Sequence, residues 1–101
     1  FEILPTGKWQ ARSTRSEYVL GDFDGRSFTS STPARLSVCG PDDYAAVTFD
    51  GAPRRIAMGW LNHWHYAQQC PTSPWKGMLS LPREMSLVGD RLRQWPAVEL
   101  D

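Results

Sequence analysis

The segment "YAAVTFDGAPRRIAMGW", residues 44–60, places two strand-like apolar runs on either side of an Asp-Gly turn. Asp-Gly pairs favour hairpins because Gly accepts positive φ and Asp tolerates left-handed backbone. Residues 18–25, "YVLGDFDG", share the Tyr-x4-Phe-Asp-Gly pattern of residues 44–51. Repeated hairpins build meanders and propeller blades, so the pattern predicts antiparallel sheets.

Turn residues interrupt the chain at short intervals, from Pro5-Thr6-Gly7 through Gly40-Pro41-Asp42 to Gly89-Asp90. The runs between them are short and rich in Val, Ile, Tyr, Phe, Thr and Leu, and no window holds a long helical period. These features predict an all-β fold. The predicted strands are Glu17–Phe23, Ser27–Ser30, Arg35–Val38, Tyr44–Phe49, Arg55–Trp60, Met78–Leu81, Met85–Val88 and Arg91–Gln94.

The composition of the chain argues against some classes of binding partner. At 101 residues the chain is long enough for one domain. Its 11 basic and 11 acidic residues give zero formal net charge, which argues against nucleic acid and against an electrostatic membrane anchor. No apolar stretch approaches the ~20 residues that span a bilayer. The start, "FEILPTGKWQ", lacks Met and the features of a signal peptide, which indicates a processed chain or a fragment.

Residues 59–75, "GWLNHWHYAQQCPTSPW", gather aromatic side chains, two histidines and a cysteine. A metal site here would use His63, His65 and Cys70, but structural zinc closes with four ligands in recognisable pairs. The sequence holds no second Cys/His pair, so no metal and no cofactor is expected. Cys39 and Cys70 permit one disulfide without requiring it, and a free, mostly buried thiol is expected at each.

The same run has two other interpretations, hydrophobic core and recognition surface. Residues 56–61 alternate two apolar sets, which suits a strand buried on both faces. The following "NHWHY", residues 62–66, is unusual for a core because each buried Asn or His needs an internal partner. Trp and Tyr offer a sugar an apolar face and a polar tip, with Asn and His as polar neighbours. Composition leaves both interpretations open.

Paired carboxylates are the other candidates for chemistry. Asp22 with Asp24, or Asp42 with Asp43, would supply the acid and base of a glycosidase. Both pairs lie at turns, where Asp is favoured for backbone reasons, and the turn explanation is preferred. Arg83-Glu84 is interpreted as a structural ion pair or a strand-edge device rather than a catalytic pair.

Four motifs occur in order: "YVLGDFDGRSF", "DDYAAVTFDG", "RRIAMGWLNHWHYAQQCPTSPWKGMLSLPREMSL" and "LRQWPAVEL". In this order and spacing they resemble glycoside hydrolase family 32, the invertase, levanase and inulinase group. The resemblance runs from about Glu17 to the C-terminus. It implies an all-β fold that is part of a five-bladed β-propeller. Residues 1–101 would be a single segment forming its last one to two blades, without the β-sandwich domain that normally follows.

The resemblance also implies a reaction. Family members cleave β-fructofuranosyl bonds with retention: an Asp attacks the anomeric carbon, a Glu protonates the leaving oxygen, and water releases fructose. The family motifs that carry the functional carboxylates are Asn-Asp-Pro-Asn, Arg-Asp-Pro and Glu-Cys, and this sequence contains none of them. No catalytic residue is therefore assigned, and the chain alone is expected to hydrolyse nothing.

Substrate-binding residues follow from the family's Gly-Trp-x-x-x-Trp segment. A Trp of that segment lines the fructose subsite, which corresponds to Trp60 or Trp64 here. Trp64 is preferred because Trp60 continues a buried alternation. Asn62 is a polar neighbour, and His63 stands where relatives often have Asn, which affects leaving-group contacts.

The expected ligand is a fructose-containing saccharide, namely sucrose, levan or inulin. The alternative is a non-catalytic carbohydrate-binding or interaction module derived from such an enzyme. The rest of the propeller, or a second copy meeting exposed strand edges, is the expected protein partner. The resemblance favours an extracellular or periplasmic location. The side chains expected to pack between blades are Trp75, Trp95, Leu79 and Leu81.

Overall fold

The computed structural model describes residues 16–101 in full and the backbone of residues 2–3 and 9–12. The predicted turn at Pro5-Thr6-Gly7 lies outside the described residues. The strands are β1 (Glu2–Ile3), β2 (Trp9–Arg12), β3 (Glu17–Phe23), β4 (Phe28–Ser30), β5 (Arg35–Leu36), β6 (Tyr44–Thr48), β7 (Arg55–Trp60), β8 (Arg83–Val88) and β9 (Arg91–Pro96). Two 3₁₀ helices cover Ala67–Gln69 and Val98–Leu100.

The strands form two antiparallel sheets, here called sheet A and sheet B. Sheet A has the order β1-β2-β3-β4, and β5 also pairs with β3. Sheet B has the order β6-β7-β8-β9, so each strand pairs with the next one along the chain. A four-stranded antiparallel meander is the unit from which propeller blades are built. The predicted all-β class is confirmed.

Most predicted strands agree with the structure, but one predicted strand is absent and the prediction contained neither β1 nor β2. Glu17–Phe23 and Arg55–Trp60 begin and end as predicted. The predicted strand at Met78–Leu81 is wrong, because only Leu79 forms a bridge there, to Trp60. Gly77 turns the chain at φ 76° just before this segment. Pro82 follows it and has no N–H with which to extend a ladder.

The two sheets are joined by a small apolar core. Tyr18 and Leu20 of β3 are 4% and 2% exposed, and Leu87 and Leu92 of sheet B pack against them. Burying a Leu side chain such as Leu20 contributes about 1.5–3 kcal/mol. The Tyr18 hydroxyl also accepts a hydrogen bond from the Leu92 N–H at 3.1 Å. The apolar contact and this hydrogen bond together hold β3 to β9.

Polar contacts connect the sheets beside this core. Gln94 Nε2 donates to the Ser37 carbonyl at 2.6 Å. Arg35 donates to the Asp90 carboxylate at 2.8 Å, and this hydrogen bond lowers the pKa of Asp90. Because Asp90 is mostly exposed, the ion pair contributes little to stability. It fixes the β8–β9 hairpin against β5.

A buried ion pair between Asp43 and Arg83 organises sheet B. Asp43 is 5% exposed, and its two carboxylate oxygens lie 2.7 and 2.9 Å from Arg83 Nη2. The Asp43 carbonyl accepts a hydrogen bond from the Ser16 hydroxyl at 3.0 Å. Asp43 therefore connects the start of β8 to the segment that leads into β3.

Gly59 makes room for that ion pair. A Cβ atom at Gly59 would lie 2.1 Å from Asp43 Oδ1, closer than any real contact. The Gly59 N–H donates to Ser80 Oγ at 2.9 Å, and the Gly59 carbonyl accepts from the Ser80 N–H at 2.8 Å. Asp43 itself has φ 66°, a conformation that Asp adopts more readily than most residues.

Two expectations about strand side chains are wrong. The strand β7 is not sealed on both faces, because Ala57 and Gly59 are buried while Trp60 on the other face is only half-buried. Arg83 and Glu84 do not pair with each other, since adjacent strand residues point to opposite faces. Glu84 pairs instead with Arg54 at 3.0 Å.

Several apolar side chains are largely exposed in the described part of the chain. The four expected to pack between blades are 61–67% exposed: Trp75, Trp95, Leu79 and Leu81. Both cysteines are free, Cys70 half-buried and Cys39 exposed. The expectation of a mostly buried thiol is therefore wrong for Cys39, which lies in the exposed loop before β6.

Asp43→Asn tests the importance of the buried ion pair. The substitution preserves side-chain shape and tolerance of positive φ but leaves the Arg83 charge without its counter-ion. Removing one partner of a buried pair costs about 3–5 kcal/mol. Urea unfolding followed by tryptophan fluorescence measures the loss.

The matched control is Asp50→Asn, in the exposed β6–β7 turn. Its unfolding free energy is expected to stay within about 0.5 kcal/mol of the wild-type value. Equal losses in the two variants would contradict a special role for Asp43.

Candidate functional site

The loop between β7 and β8 is organised by the side chain of Asn62, which is 1% exposed. Its Oδ1 accepts a hydrogen bond from the His63 N–H at 2.8 Å. The sulfur of Cys70 lies 3.5 Å from Asn62 Nδ2 and 3.6 Å from Oδ1. Buried amides are hydrogen-bonded in stable proteins. Asn62 thus ties the first residues of the loop to the end of its 3₁₀ helix.

The next residues turn sharply around the carbonyl of His63. This carbonyl accepts hydrogen bonds from the Tyr66 N–H at 3.1 Å and the Ala67 N–H at 2.8 Å. Ala67 is buried, whereas Trp64 and His65 at the tip of the turn are exposed. The backbone of the loop is therefore fixed while its aromatic side chains face solvent.

Trp60 forms the base of this loop. Its indole Nε1 donates to the Lys76 carbonyl at 3.3 Å. A Cβ atom at Gly77 would lie 2.5 Å from that nitrogen, and Gly77 has φ 76°. Only Gly satisfies both the close approach and the positive φ. The indole is thereby held between β7 and the returning chain.

Five rings, each in contact with the next, form a group that we call the aromatic array. Its members, in order, are Trp64, Trp60, Tyr44, His63 and His65. The centroid distances between successive rings are 5.2, 6.4, 5.2 and 4.6 Å. The first three pairs are tilted or edge-to-face, arrangements that favour aromatic contact.

The two histidines of the array are coupled. Their rings stack with 20° between planes, and the His65 N–H donates to His63 Nδ1 at 3.2 Å. His63 is also held by the edge-to-face contact with Tyr44 at 5.2 Å. Its ring orientation is therefore set from both sides, and the His65 ring lies over it.

A hydrogen bond from the Tyr66 hydroxyl to the Asp42 carboxylate connects this loop to the segment before β6. The Asp42 carboxylate raises the pKa of Tyr66 to about 12, because it accepts a hydrogen bond that only the neutral phenol donates. The loop residues 63–66 and the segment 40–43 are consequently held together beside one opening.

That opening is a cleft of about 510 Å³. The residues lining it are Gly40, Pro41, Tyr44, His63, Trp64 and His65. Its walls combine aromatic surface with imidazole and hydroxyl groups, and none of the described residues that line it carries a carboxylate or ammonium group. Such a lining suits an uncharged, hydroxyl-rich ligand.

The structure brings the four sequence-predicted binding residues into one region but gives them different exposure. Trp64 is 65% exposed and His63 half-buried, both lining the cleft. Trp60 is half-buried behind Trp64, and Asn62 is buried beneath the loop. His63 and Trp64 are thus available for direct contact, whereas Asn62 supports the backbone.

Sequence reasoning missed the contribution of the segment before β6. Tyr44 was considered only as a strand residue, and Asp42 only as a turn or catalytic carboxylate. The repeat of Tyr-x4-Phe-Asp-Gly marked Tyr44 as a strand residue but contained no signal that its ring meets His63. Asp24, in contrast, behaves as the turn explanation predicts, because its Oδ1 accepts from the N–H groups of Arg26 and Ser27 at 2.8 and 2.7 Å.

The part of the chain that the structure describes contains no group of three His, Cys, Asp or Glu side chains able to hold a metal ion. Its helices are also too short to cross a membrane.

Known proteins share this sequence pattern. Residues 3–96 match the model of the glycosyl hydrolases family 32 N-terminal domain. A levanase of Bacillus subtilis (strain 168) is 40% identical over 96 residues, covering 84% of this chain and 14% of the levanase. An extracellular exo-inulinase of Aspergillus awamori is 34% identical over 95 residues, covering 84% of this chain and 18% of the inulinase.

Solved structures share the fold. The exo-inulinase of Aspergillus awamori superposes with a TM-score of 0.70 at 34% identity, over 79% of this chain and 18% of that one. A β-fructofuranosidase of Schwanniomyces occidentalis complexed with fructosyl-erythritol gives a TM-score of 0.72 at 34% identity, with the same coverage. The chain therefore spans less than a fifth of the length of these relatives.

Titration of the phenols tests the Asp42–Tyr66 hydrogen bond. Of the three tyrosines in the chain, Tyr66 is expected to ionise near pH 12 in the folded protein. Because its folded pKa is raised, its stabilising contribution is complete below the ordinary value near 10 and is lost as pH rises toward 12. Phenolate absorbance, recorded with circular dichroism to verify folding, measures the titration.

Asp42→Asn is expected to bring the displaced ionisation back toward the ordinary pKa of tyrosine, while Asp50→Asn leaves the curve unchanged. If the wild-type and Asp42→Asn curves overlay, the hydrogen bond does not control Tyr66.

Proposed function

The chain belongs to glycosyl hydrolase family 32, and from that membership we propose that it is the last one to two blades of a fructan- or sucrose-cleaving propeller. The parent protein would be a retaining β-fructofuranosidase-type hydrolase. Relatives named levanase and exo-inulinase, and a fructofuranosidase complexed with fructosylnystose, support a fructose-containing substrate. Residues 1–101 would form one segment of the propeller domain.

The contribution proposed for this segment is an aromatic wall of the fructosyl subsite. The observation that carries the proposal is the aromatic array, in which Trp64 is 65% exposed beside the cleft. An exposed indole face stacks on the C–H side of a sugar ring. Trp60 supports Trp64 from behind at 5.2 Å, and His63 supplies a polar edge. Asn62 holds the loop in place beneath them.

The Trp64 indole can orient a sugar but cannot cleave its glycosidic bond. Retaining hydrolysis needs a nucleophilic carboxylate and an acid/base carboxyl roughly 5–5.5 Å apart. Within residues 16–101, none of the side chains that line the cleft is a carboxylate. The nearby Asp42 is engaged by Tyr66 and the buried Asp43 by Arg83. We therefore propose that the 101-residue chain binds sugar without hydrolysing it.

A second candidate function is a self-sufficient, non-catalytic carbohydrate-binding module. The observation that favours it is that the aromatic array and its supports all come from residues 42–77 of this one chain. Such a module would bind fructose-containing glycans without help from other blades. The exposed Trp95 and Trp75 favour the first candidate, since a propeller would bury such surface against neighbouring blades.

We also propose that the parent protein works outside the cell. The exo-inulinases of Aspergillus awamori and Meyerozyma guilliermondii, 34% and 38% identical to this chain, are described as extracellular. Polymeric fructans are substrates that a cell meets outside its membrane, which suits that location.

Titration of the purified chain with fructose and sucrose, followed by tryptophan fluorescence, tests the proposed wall. Wild-type protein is expected to bind, and Trp64→Ala to bind about 3–10-fold more weakly because it loses the stacking face. Reducing-sugar release, assayed in the same tubes, is expected to be absent.

The matched control is Trp95→Ala, which removes an equally exposed indole from β9 and should leave sugar affinity unchanged. An unaltered affinity in Trp64→Ala, or a loss shared equally by Trp95→Ala, would remove Trp64 from the proposed wall. Release of reducing sugar by the purified chain would overturn its proposed lack of hydrolytic activity.

A further inference from the structure

The turn around Trp64 is closed by a side chain that titrates near neutral pH. The backbone N–H of His65 donates to His63 Nδ1 at 3.2 Å. This hydrogen bond joins the residue before Trp64 to the residue after it, so Trp64 lies inside the ring that the bond closes. The contact with Trp60 restrains the Trp64 indole, whereas this hydrogen bond restrains its backbone.

The hydrogen bond determines where His63 carries its proton. A ring nitrogen that accepts a hydrogen bond is unprotonated, so neutral His63 holds its proton on Nε2. A second proton then binds at Nδ1, where it faces the His65 N–H. Protonation converts the acceptor into a donor and replaces the hydrogen bond with a contact between two N–H groups. Imidazole ordinarily makes this change between pH 5 and 8.

The neighbouring ring adds to the effect of acid. The His65 ring stacks on His63 with a centroid distance of 4.6 Å, and like charges in adjacent groups repel each other. The chain contains two histidines in all, and both belong to this pair. Titration of histidine in this chain therefore acts at one place, the turn around Trp64.

The other ionisable groups around His63 come from three parts of the fold. Tyr44 of β6 and Tyr66 of the loop lie 5.2 and 6.1 Å from its ring centroid. Tyr66 donates to Asp42, which precedes β6, and Lys76 of the returning chain donates to the backbone at the end of the loop's 3₁₀ helix. Between pH 5 and 8, phenols are ordinarily neutral and carboxylates and ammonium groups charged. The charges of these groups therefore stay constant while the histidines titrate.

We infer that His63 is a pH-sensitive switch, which holds the turn around Trp64 when its ring is neutral and releases the turn when its ring is protonated. The His63 carbonyl accepts hydrogen bonds from the Tyr66 and Ala67 N–H groups without using the ring. The loop therefore stays folded, and the Trp64 backbone gains freedom. The effect on ligand binding rests on the proposed function: if Trp64 stacks on the sugar, acid weakens sugar binding.

A proton–nitrogen NMR titration of the sugar-free chain between pH 8 and 5, the range in which imidazole titrates, tests the switch. The ring nitrogens of His63 are expected to show the proton on Nε2 in the neutral state. The Trp64 indole and the His65 amide signals are expected to move in one transition, together with protonation of His63. The Trp95 indole, on β9, is expected to stay unmoved.

His63→Asn is the matched variant for this titration. An Asn side-chain oxygen accepts the N–H two residues further on and does not titrate, so the variant is expected to keep the turn and lose the transition. His65→Phe keeps the backbone N–H and a stacked ring, and is expected to keep the transition. Circular dichroism verifies folding of both variants.

Two results would overturn the switch. The first is a neutral His63 ring whose proton lies on Nδ1, which the wild-type chain reveals without any variant. The second is a Trp64 transition that persists unchanged in folded His63→Asn.

Calorimetric titration with fructose at the two ends of the pH range tests the effect on binding. Wild-type affinity is expected to be about 3–10-fold weaker at the acid end, equivalent to about one hydrogen bond. The same ratio in His63→Asn is expected to stay within about twofold of one.

The outcomes separate the switch from the fructosyl wall. A His63-dependent transition in the sugar-free chain, without detectable fructose binding, supports the switch and overturns the wall. Fructose binding that depends on Trp64 but is equally tight at both ends of the pH range supports the wall and overturns control of binding by His63.

Discussion

The buried ion pair between Asp43 and Arg83 is the contact on which the rest of the structure depends. It connects the segment before β6 to the first residue of β8, and the Asp43 carbonyl extends the connection to Ser16 at the start of β3. Burying two charges is favourable only when geometry and hydrogen bonding are good. Here both carboxylate oxygens contact one guanidinium nitrogen, Arg83 Nη2, while Arg83 Nε is buried without a hydrogen-bond partner among the described residues. Gly59 leaves the space that the pair occupies, which any side chain would fill.

The candidate site follows directly from that contact. Because Asp43 is fixed, Tyr44 at the start of β6 is fixed, and its ring meets both Trp60 and His63. Because Asp42 is adjacent, its carboxylate lies within reach of Tyr66. The loop between β7 and β8 is held independently by Asn62 and Gly77. An exposed aromatic surface is thereby presented on a backbone with little freedom, which favours binding because less entropy is lost.

The sequence predicted the sheets well because strand patterns and Asp-Gly turns are local signals. The strand β7 and the hairpin turn at Asp24 are confirmed for that reason. The failures have a different physical origin. The partner of Arg83, Asp43, is 40 positions away. No local pattern shows that Arg83 pairs with Asp43 rather than with its own neighbour Glu84.

The region of the candidate site was predicted from Trp60 and Trp64, because their spacing matches the Gly-Trp-x-x-x-Trp segment of the family. The contribution of Tyr44, Asp42 and Pro41 was missed because Tyr44 meets Trp60 only when β6 pairs with β7, and Asp42 and Pro41 precede β6. Bringing those residues to His65 requires the register of β6 on β7, including the irregularity between Tyr44 and Val47. Single-sequence patterns do not contain that register. The exposure of Trp95 and Leu81 likewise has no local signal in the sequence.

The central claim is that one preformed aromatic surface of this chain receives the sugar. A proton–nitrogen NMR titration tests it most directly, since each of the five tryptophans gives a separate indole signal. On adding a fructan trisaccharide, the account predicts shifts in the Trp64 indole and the backbone of residues 62–66, with the Trp95 and Trp75 indoles unmoved. Shifts centred on Trp95 or Trp75, or none at Trp64, would contradict it.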